Sequence, residues 1–123
     1  MIWSAIGAAC LGLAVTLGAF GAHGLRGRLD SYAMGVYERA VFYQFIHAIG
    51  LLVVPILARM NALRPTTGIL VCALLLAGIV FFSGSLYLLA LTGTRWLGAV
   101  TPIGGVCFIA AWLVLAAALA RGQ

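Results

Sequence analysis

The sequence is poor in charge and contains no lysine. Among its 123 residues there are seven arginines, two acids and two histidines, so charged residues make up only 7% of the chain. Soluble domains carry about a quarter charged residues, and this composition therefore argues against a soluble globular protein. The arginines are scattered along the chain and never form a basic stripe, so the sequence predicts no nucleic-acid partner.

Cysteine is sparse as well. The three cysteines each lie alone in an apolar run, at Cys10, Cys72 and Cys107. An odd number of cysteines, without C-x-x-C spacing or a nearby histidine, supports neither a disulfide framework nor a zinc site. We interpret each as a small buried apolar residue, and we expect no metal and no cofactor.

Hydrophobic residues dominate what remains. They make up 65% of the chain, and the mean hydropathy is +1.20. Four apolar runs, at about residues 2–22, 40–58, 68–91 and 102–119, are each long enough to cross roughly 30 Å of hydrocarbon as a helix. The sequence therefore predicts an all-α membrane protein. We expect one domain of residues 1–123 that forms a four-transmembrane-helix bundle in the lipid bilayer.

The first run could also be a signal peptide, since Ala19-Phe20-Gly21 would suit a peptidase. It has no basic segment before it and is longer than the apolar part of a usual signal peptide, so we interpret it as a true span. Small residues are predicted to form two opposite faces of this helix, which suits a helix packed between two neighbours. One face holds Gly7, Ala14, Gly18 and Gly21, and the other holds Ala5, Ala9, Gly12 and Thr16.

Polar links separate the first three runs. Asp30 or Ser31 is predicted to cap the second helix, whose last turn contains Pro55, a residue that kinks helices. The link at residues 59–67 is expected to be non-helical around Arg64-Pro65, and the polar residues at 83–85 interrupt the third run. The arginines divide three to four between the two ends of the bundle, so the positive-inside rule gives no orientation.

The start of the fourth helix is predicted at Thr101-Pro102. Threonine is a good cap, and proline at the first helical position gives up only a donor that has no partner there. Residues 95–100 would then form an irregular or interfacial segment folded against the bundle. The alternative is a continuous helix from about Thr94 with a proline kink.

A polar stripe lies on the second predicted helix. Arg39, Tyr43 and His47 follow each other at i, i+4 and i+8, on a helix where polar groups normally face the bundle interior. With neighbouring residues they define a candidate intramembrane polar cluster: His23, Arg39, Tyr43, Gln44, His47, Ser83, Ser85 and Tyr87.

The cluster has two interpretations. The functional one is a polar chamber that serves as a proton relay, a quinone or lipid-headgroup site, or a metal site. The structural one, which we favour, is interhelical hydrogen bonding, worth about 0.6 kcal/mol per pair on average. Two histidines make a poor zinc site, and no acid lies at the depth of His47 to complete a catalytic triad. We expect His47 to face the interior and to bond another helix, preferably through Ser83 or Tyr87.

Several stretches, in order from the first predicted helix to the fourth, carry a family resemblance. They are Gly18-Ala19-Phe20-Gly21-Ala22-His23, Tyr43-Gln44 with His47, Phe82-Ser83-Gly84-Ser85-Leu86-Tyr87, and Thr101-Pro102-Ile103-Gly104-Gly105 with Phe108 and Trp112. Together they resemble the YgdD-like family, small four-helix membrane proteins of bacteria with mitochondrial relatives and no known function. One departure is Ala111 before Trp112, where glycine is expected. The resemblance implies a multi-pass protein of the bacterial inner membrane and brings no reaction, substrate or cofactor.

Two functions fit these features. We expect a non-catalytic accessory or assembly subunit of a larger membrane complex, because the chain is small, lacks a soluble domain and has small-residue helix faces. Its partners would be other membrane subunits or a second copy of itself. The alternative is a small oligomeric carrier, or a lipid- or quinone-binding protein, that uses the polar site around His47. Secondary transporters normally have more spans arranged as inverted repeats, so a carrier of this size would have to be a homo-oligomer.

Overall fold

The computed structural model describes residues 1–122, and Gln123, the last residue of the predicted domain, lies outside them. The described residues form five α-helices: α1 (Ile2–Phe20), α2 (Ser31–Arg59), α3 (Pro65–Gly78), α4 (Gly84–Thr92) and α5 (Thr101–Ala120). A π-helical turn at Gly21–Leu25 extends α1, and a second one at Ile79–Ser83 joins α3 to α4. A 3₁₀ turn at Arg95–Ala99 precedes α5.

These elements combine into four helical segments long and apolar enough to cross a membrane. They are Ile2–Leu25, Ser31–Arg59, Pro65–Thr92 and Arg95–Ala120. The prediction of an all-α protein with four membrane spans is confirmed. Each span is longer than its predicted apolar run, because helical structure continues into the flanking residues.

The first residues of α2 and α3 show why these helices begin where they do. Asp30 caps α2, since its carboxylate accepts a hydrogen bond from the Ala33 amide at 2.7 Å. Pro65 is the first residue of α3, so the prediction of a non-helical link was wrong for residues 65–67. Proline loses no hydrogen bond at this position. Arg64 takes the extended backbone that a residue before proline requires.

The third span is not broken at residues 83–85. The helix passes through the π-helical turn Ile79–Ser83 and continues directly into α4. The polar residues that interrupt the apolar run thus begin at the end of a widened turn, a feature that recurs at functional sites in other proteins.

Thr101 is the first residue of α5, but it does not cap the helix. The helix begins after Val100 without a side-chain cap. Bonds of the i to i−3 type lie on both sides of this start. Before it, the Val100 amide donates to the Leu97 carbonyl at 3.0 Å, and within the first turn the Ile103 amide donates to the Val100 carbonyl at 3.1 Å. The capping role was therefore wrong, and the chain does not run as one continuous α-helix from Thr94. The Thr101 hydroxyl bonds another span instead, as described below.

The four spans are arranged around α2. Helix α1 packs chiefly against α2, which also packs against α3 and α4, while α5 packs against α3 and the second π-helical turn. Only one of the two small faces predicted for α1 is therefore buried. Residues of the other face are exposed on the outside of the bundle: Ala5, Ala9, Gly12 and Thr16. The prediction that α1 packs between two neighbours was wrong for the described chain.

Two glycines permit the closest helix approaches. A Cβ atom on Gly7 would lie 2.7 Å from the Leu52 amide nitrogen of α2. A Cβ atom on Gly104 of α5 would collide with the backbone of Phe82 in the π-helical turn. Backbone atoms cannot move aside as a flexible side chain can, so both contacts require glycine.

Candidate functional site

Helix α2 carries four of the eight residues of the predicted polar cluster, and three of these four are buried or half-buried. Gln44 is 2% exposed and His47 is 5% exposed, while Tyr43 is half-buried. Arg39, at the start of the predicted stripe, is exposed. His23 lies exposed in the π-helical turn that ends the first span. The structure thus places His23 and Arg39 on the outside and brings the remaining residues together.

Gln44 links three of the spans through its amide group. Its Nε2 donates to the Cys10 carbonyl of α1 at 2.9 Å, and its Oε1 accepts from the Tyr87 hydroxyl of α4 at 2.6 Å. The amide thus serves as donor on one side and as acceptor on the other. This arrangement fixes the rotation and depth of α1 and α4 relative to α2.

Ser83 forms a second bond between α2 and the third span. Its hydroxyl is fully buried and donates to the Ala40 carbonyl at 2.8 Å. Tyr87 reaches Gln44 from the following turn, and its ring makes an edge contact with Tyr37 at 5.3 Å between centroids. The π-helical turn ends at Ser83, so the widened backbone lies where this bond joins the third span to α2.

Ser85 connects the third span to the fourth. Its hydroxyl lies 2.6 Å from the Thr101 hydroxyl and donates to the Phe82 carbonyl at 2.9 Å. Each hydroxyl also has a backbone acceptor, Phe82 for Ser85 and the Leu97 carbonyl at 3.4 Å for Thr101, so either oxygen can donate in the bond between them. This contact gives Thr101 a role other than the cap inferred from the sequence.

His47 lies in the interior, as expected, but the expected partners were wrong. Its Nδ1 bonds the Tyr43 carbonyl of its own helix at 2.6 Å. A carbonyl can only accept, so Nδ1 carries the proton and the neutral ring has its lone pair on Nε2. Ser83 and Tyr87 are not available to it, because each donates to another acceptor on α2.

Aromatic rings enclose the His47 imidazole. The ring stacks on Phe108 of α5, with centroids 3.4 Å apart and planes at 13°. Tyr43 stacks at 5.8 Å and Trp112 is tilted at 5.9 Å. No hydrogen bond joins Nε2 to any of residues 1–122, so this nitrogen is an unused acceptor.

Over residues 1–122, every fully buried side-chain nitrogen or oxygen has a hydrogen-bond partner. Within the same residues, no three histidine, cysteine, aspartate or glutamate side chains gather closely enough to hold a metal ion. The fully buried polar side chains of the interior therefore form a set of paired contacts. The polar chamber of the functional interpretation stays a prediction.

Two further polar contacts were not predicted from the sequence. The Tyr37 hydroxyl donates to the Leu17 carbonyl of α1, and the Ser4 hydroxyl donates to the Leu52 carbonyl of α2 at 3.0 Å. Gly21 leaves room for the Tyr37 ring, since a Cβ atom there would lie 2.5 Å from it, but the sequence alone carries no signal for that pairing. The signal for Ser4 was its position as an isolated hydroxyl in an apolar run.

Comparison with known proteins gives one matching family and several close relatives. The family described as "Protein of unknown function (DUF423)" matches residues 17–105. A UPF0382 membrane protein of Staphylococcus haemolyticus is 49% identical over 110 residues, covering 89% of this chain and 88% of that protein. The UPF0382 membrane protein YwdK of Bacillus subtilis is 46% identical over 110 residues, again covering 89% and 88%. No solved structure matches the chain.

These relatives are bacterial and carry the name of membrane proteins. Together with the four spans, they identify the chain as a multi-pass protein of the bacterial plasma membrane. The YgdD-like name and the mitochondrial relatives implied by the resemblance remain predictions.

Proposed function

Because the chain belongs to the family described as "Protein of unknown function (DUF423)", we propose its role from the structure, as a non-catalytic accessory or assembly subunit of a larger membrane complex. The observation that carries this proposal is an open helix face beside an interior whose fully buried polar atoms are paired. Every fully buried side-chain nitrogen or oxygen among residues 1–122 has a partner, while the unbonded Nε2 of His47 supports the second candidate below. The small-residue face of α1 meanwhile has no neighbour within the described chain.

The open face has the composition of a helix–helix interface. Small residues let two membrane helices approach closely, which is how such helices associate without a hydrophobic driving force. A Cβ atom on Gly12, at the centre of this face, would meet nothing within 4 Å. The Thr16 hydroxyl bonds back to the Gly12 carbonyl at 2.9 Å, so this face presents no free donor to lipid.

The positions of the acids support a non-catalytic role. Asp30 and Glu38 are exposed, and the Asp30 carboxylate is engaged in the helix cap. Glu38 is nine residues before His47 on the same helix, a separation of about 13 Å along the axis. At that separation Glu38 and His47 are out of hydrogen-bond reach of each other, so they do not form an acid–base pair.

Purification of the tagged protein in mild detergent tests the proposal. We expect a second membrane protein to co-purify at a fixed ratio. Gly12→Leu should abolish that association while the isolated chain stays folded, because the new side chain extends into open space. Ala116→Leu is the matched control, since it makes a similar enlargement at an exposed position of α5. Equal loss of the partner in both variants, or a protein that purifies without one, would refute the proposal.

The second candidate is the oligomeric carrier or lipid- or quinone-binding protein, and the free Nε2 of His47 favours it. His47→Gln and His47→Leu separate the two functions. For a structural histidine, the amide variant should preserve stability and partner association, and the leucine variant should lower stability modestly. For a proton or ligand site, both variants should lose activity while folded, because neither side chain titrates near neutral pH. A homo-oligomer that extracts with bound quinone would support this second function.

A further inference from the structure

A groove opens at the end of the bundle where α2 meets α3. It has a volume of about 260 Å³, and Trp3, Pro55, Arg59, Ile69 and Cys72 are among the residues that line it. This volume is just below the range of about 300–1,000 Å³ found for small-molecule sites. The space suits part of an elongated molecule better than a whole compact ligand.

Among residues 1–122, the charged side chains at this end of the bundle are all positive. Arg59 ends α2, Arg64 precedes α3, and Arg121 follows α5. Both acids of the chain, Asp30 and Glu38, lie near the start of α2. Arg59 and Glu38 are 21 residues apart, which is about 32 Å along the helix, so neither acid offsets the cationic end.

The groove is polar at its rim and apolar inside. Arg59 is the last residue of α2, and Pro55 lies one helical turn further into the bilayer, at a depth of about 6 Å. Cys72 lies about 10 Å from the start of α3. Ile69 forms part of the wall between them and is 55% exposed on the outside of the bundle. A cation thus lies at the rim, and apolar walls continue below it toward the hydrocarbon.

We propose that this groove binds an anionic phospholipid, with its phosphate on Arg59 and one acyl chain along Pro55, Ile69 and Cys72. The planar guanidinium suits the oxygens of a phosphate. The apolar walls offer the chain a continuous surface at the depth where it would lie. The positive charge of this end favours a lipid with net negative charge over a zwitterionic one.

A second groove provides an internal control. It lies between α1 and α2 at the opposite end, with a volume of about 330 Å³, and both Arg26 and Glu38 line it. The presence of a carboxylate in the same lining disfavours an anion there. An arginine substitution in this second groove therefore tests whether lipid binding depends on the groove or merely on overall charge.

Native mass spectrometry of the full chain, loaded with phosphatidylglycerol or phosphatidylcholine of the same acyl composition, tests the proposal. We expect preferential retention of phosphatidylglycerol, reduced by about tenfold or more by Arg59→Gln, as for loss of one charge-assisted bond. Arg26→Gln should leave retention unchanged. Ile69→Trp should reduce it without altering the charge, by filling the groove from an exposed position.

Three results would overturn the proposal. They are equal retention of the two lipids by the unmodified chain, equal losses from Arg59→Gln and Arg26→Gln, or full retention in Ile69→Trp. Tryptophan fluorescence and elution volume establish that each variant is folded before its lipid content is compared. If Arg59→Gln fails to fold, the Ile69→Trp result decides the matter alone.

Discussion

The Gln44 bridge makes a quantitative prediction about how the first three spans are held together. Gln44→Leu removes the bond to the Cys10 carbonyl and leaves the Tyr87 hydroxyl without its acceptor. Interhelical hydrogen bonds in membranes contribute about 0.6 kcal/mol on average, so two of them amount to roughly 1 kcal/mol. The orphaned hydroxyl adds a desolvation cost of about 1–2 kcal/mol. The variant should therefore lose about 2–3 kcal/mol of unfolding free energy.

A double-mutant cycle separates the shared bond from these costs. Tyr87→Phe alone should cost about 1–2 kcal/mol, because it leaves Gln44 Oε1 unpaired. The double variant removes both partners and leaves neither group orphaned, so its cost should be below the sum of the single costs by about 1 kcal/mol. The unfolding free energy is measured by titration with sodium dodecyl sulfate in mixed micelles, followed by tryptophan fluorescence.

The matched control cycle pairs Gln44→Leu with Tyr32→Phe. Tyr32 is 73% exposed near the start of α2, and these two changes should add within about 0.5 kcal/mol. If the Gln44–Tyr87 cycle were also additive, the bridge would not couple α2 to α4, and the reasoning from paired polar groups would fail. A coupling energy of equal size in both cycles would also refute this reasoning.

Two further predictions concern packing and depth. Gly7→Ala should lower the unfolding free energy by about 1–3 kcal/mol, because the added methyl group overpacks against the α2 backbone. Gly12→Ala should not destabilise the monomer, because its Cβ meets nothing within 4 Å. Equal effects of the two changes in the same unfolding titration would contradict the packing of α1. A hydrophilic maleimide should leave the native cysteines unlabelled in intact membranes, while an added cysteine at the exposed Asn61 reacts, and strong labelling from water would contradict the placement of the spans. The native cysteines are Cys10, Cys72 and Cys107.

The sequence predicts the spans well because their signal is local. A run of apolar residues of sufficient length has to be a spanning helix, since no other open structure satisfies its backbone in lipid. The cap at Asp30 is local in the same way, as it depends on three adjacent residues. Pro65 shows the limit, because one residue both ends the extended link and begins the next helix.

The partners of the polar residues depend on rotation and depth, which the hydropathy pattern does not encode. Helical side chains lean toward the amino end of their helix, so Tyr87 points back to the level of Ser83, and its hydroxyl reaches Gln44. His47 then finds the carbonyl of Tyr43 on its own helix, and its ring stacks on Phe108. The helical spacing predicts which residues share a face, but it cannot tell which of several nearby acceptors each donor meets.

The attachment of α1 explains how a helix with one neighbour can still be fixed in place. Apolar burial gives it little advantage, because lipid chains solvate its surface as well as another helix would. Three hydrogen bonds join α1 to α2. They involve the Ser4 hydroxyl near the start of α1, the Cys10 carbonyl in its middle and the Leu17 carbonyl near its end. These points span 13 residues, about 20 Å of the bilayer. They hold the buried face of α1 against α2 in one register, so its opposite small-residue face is presented in a fixed orientation to a partner or to lipid.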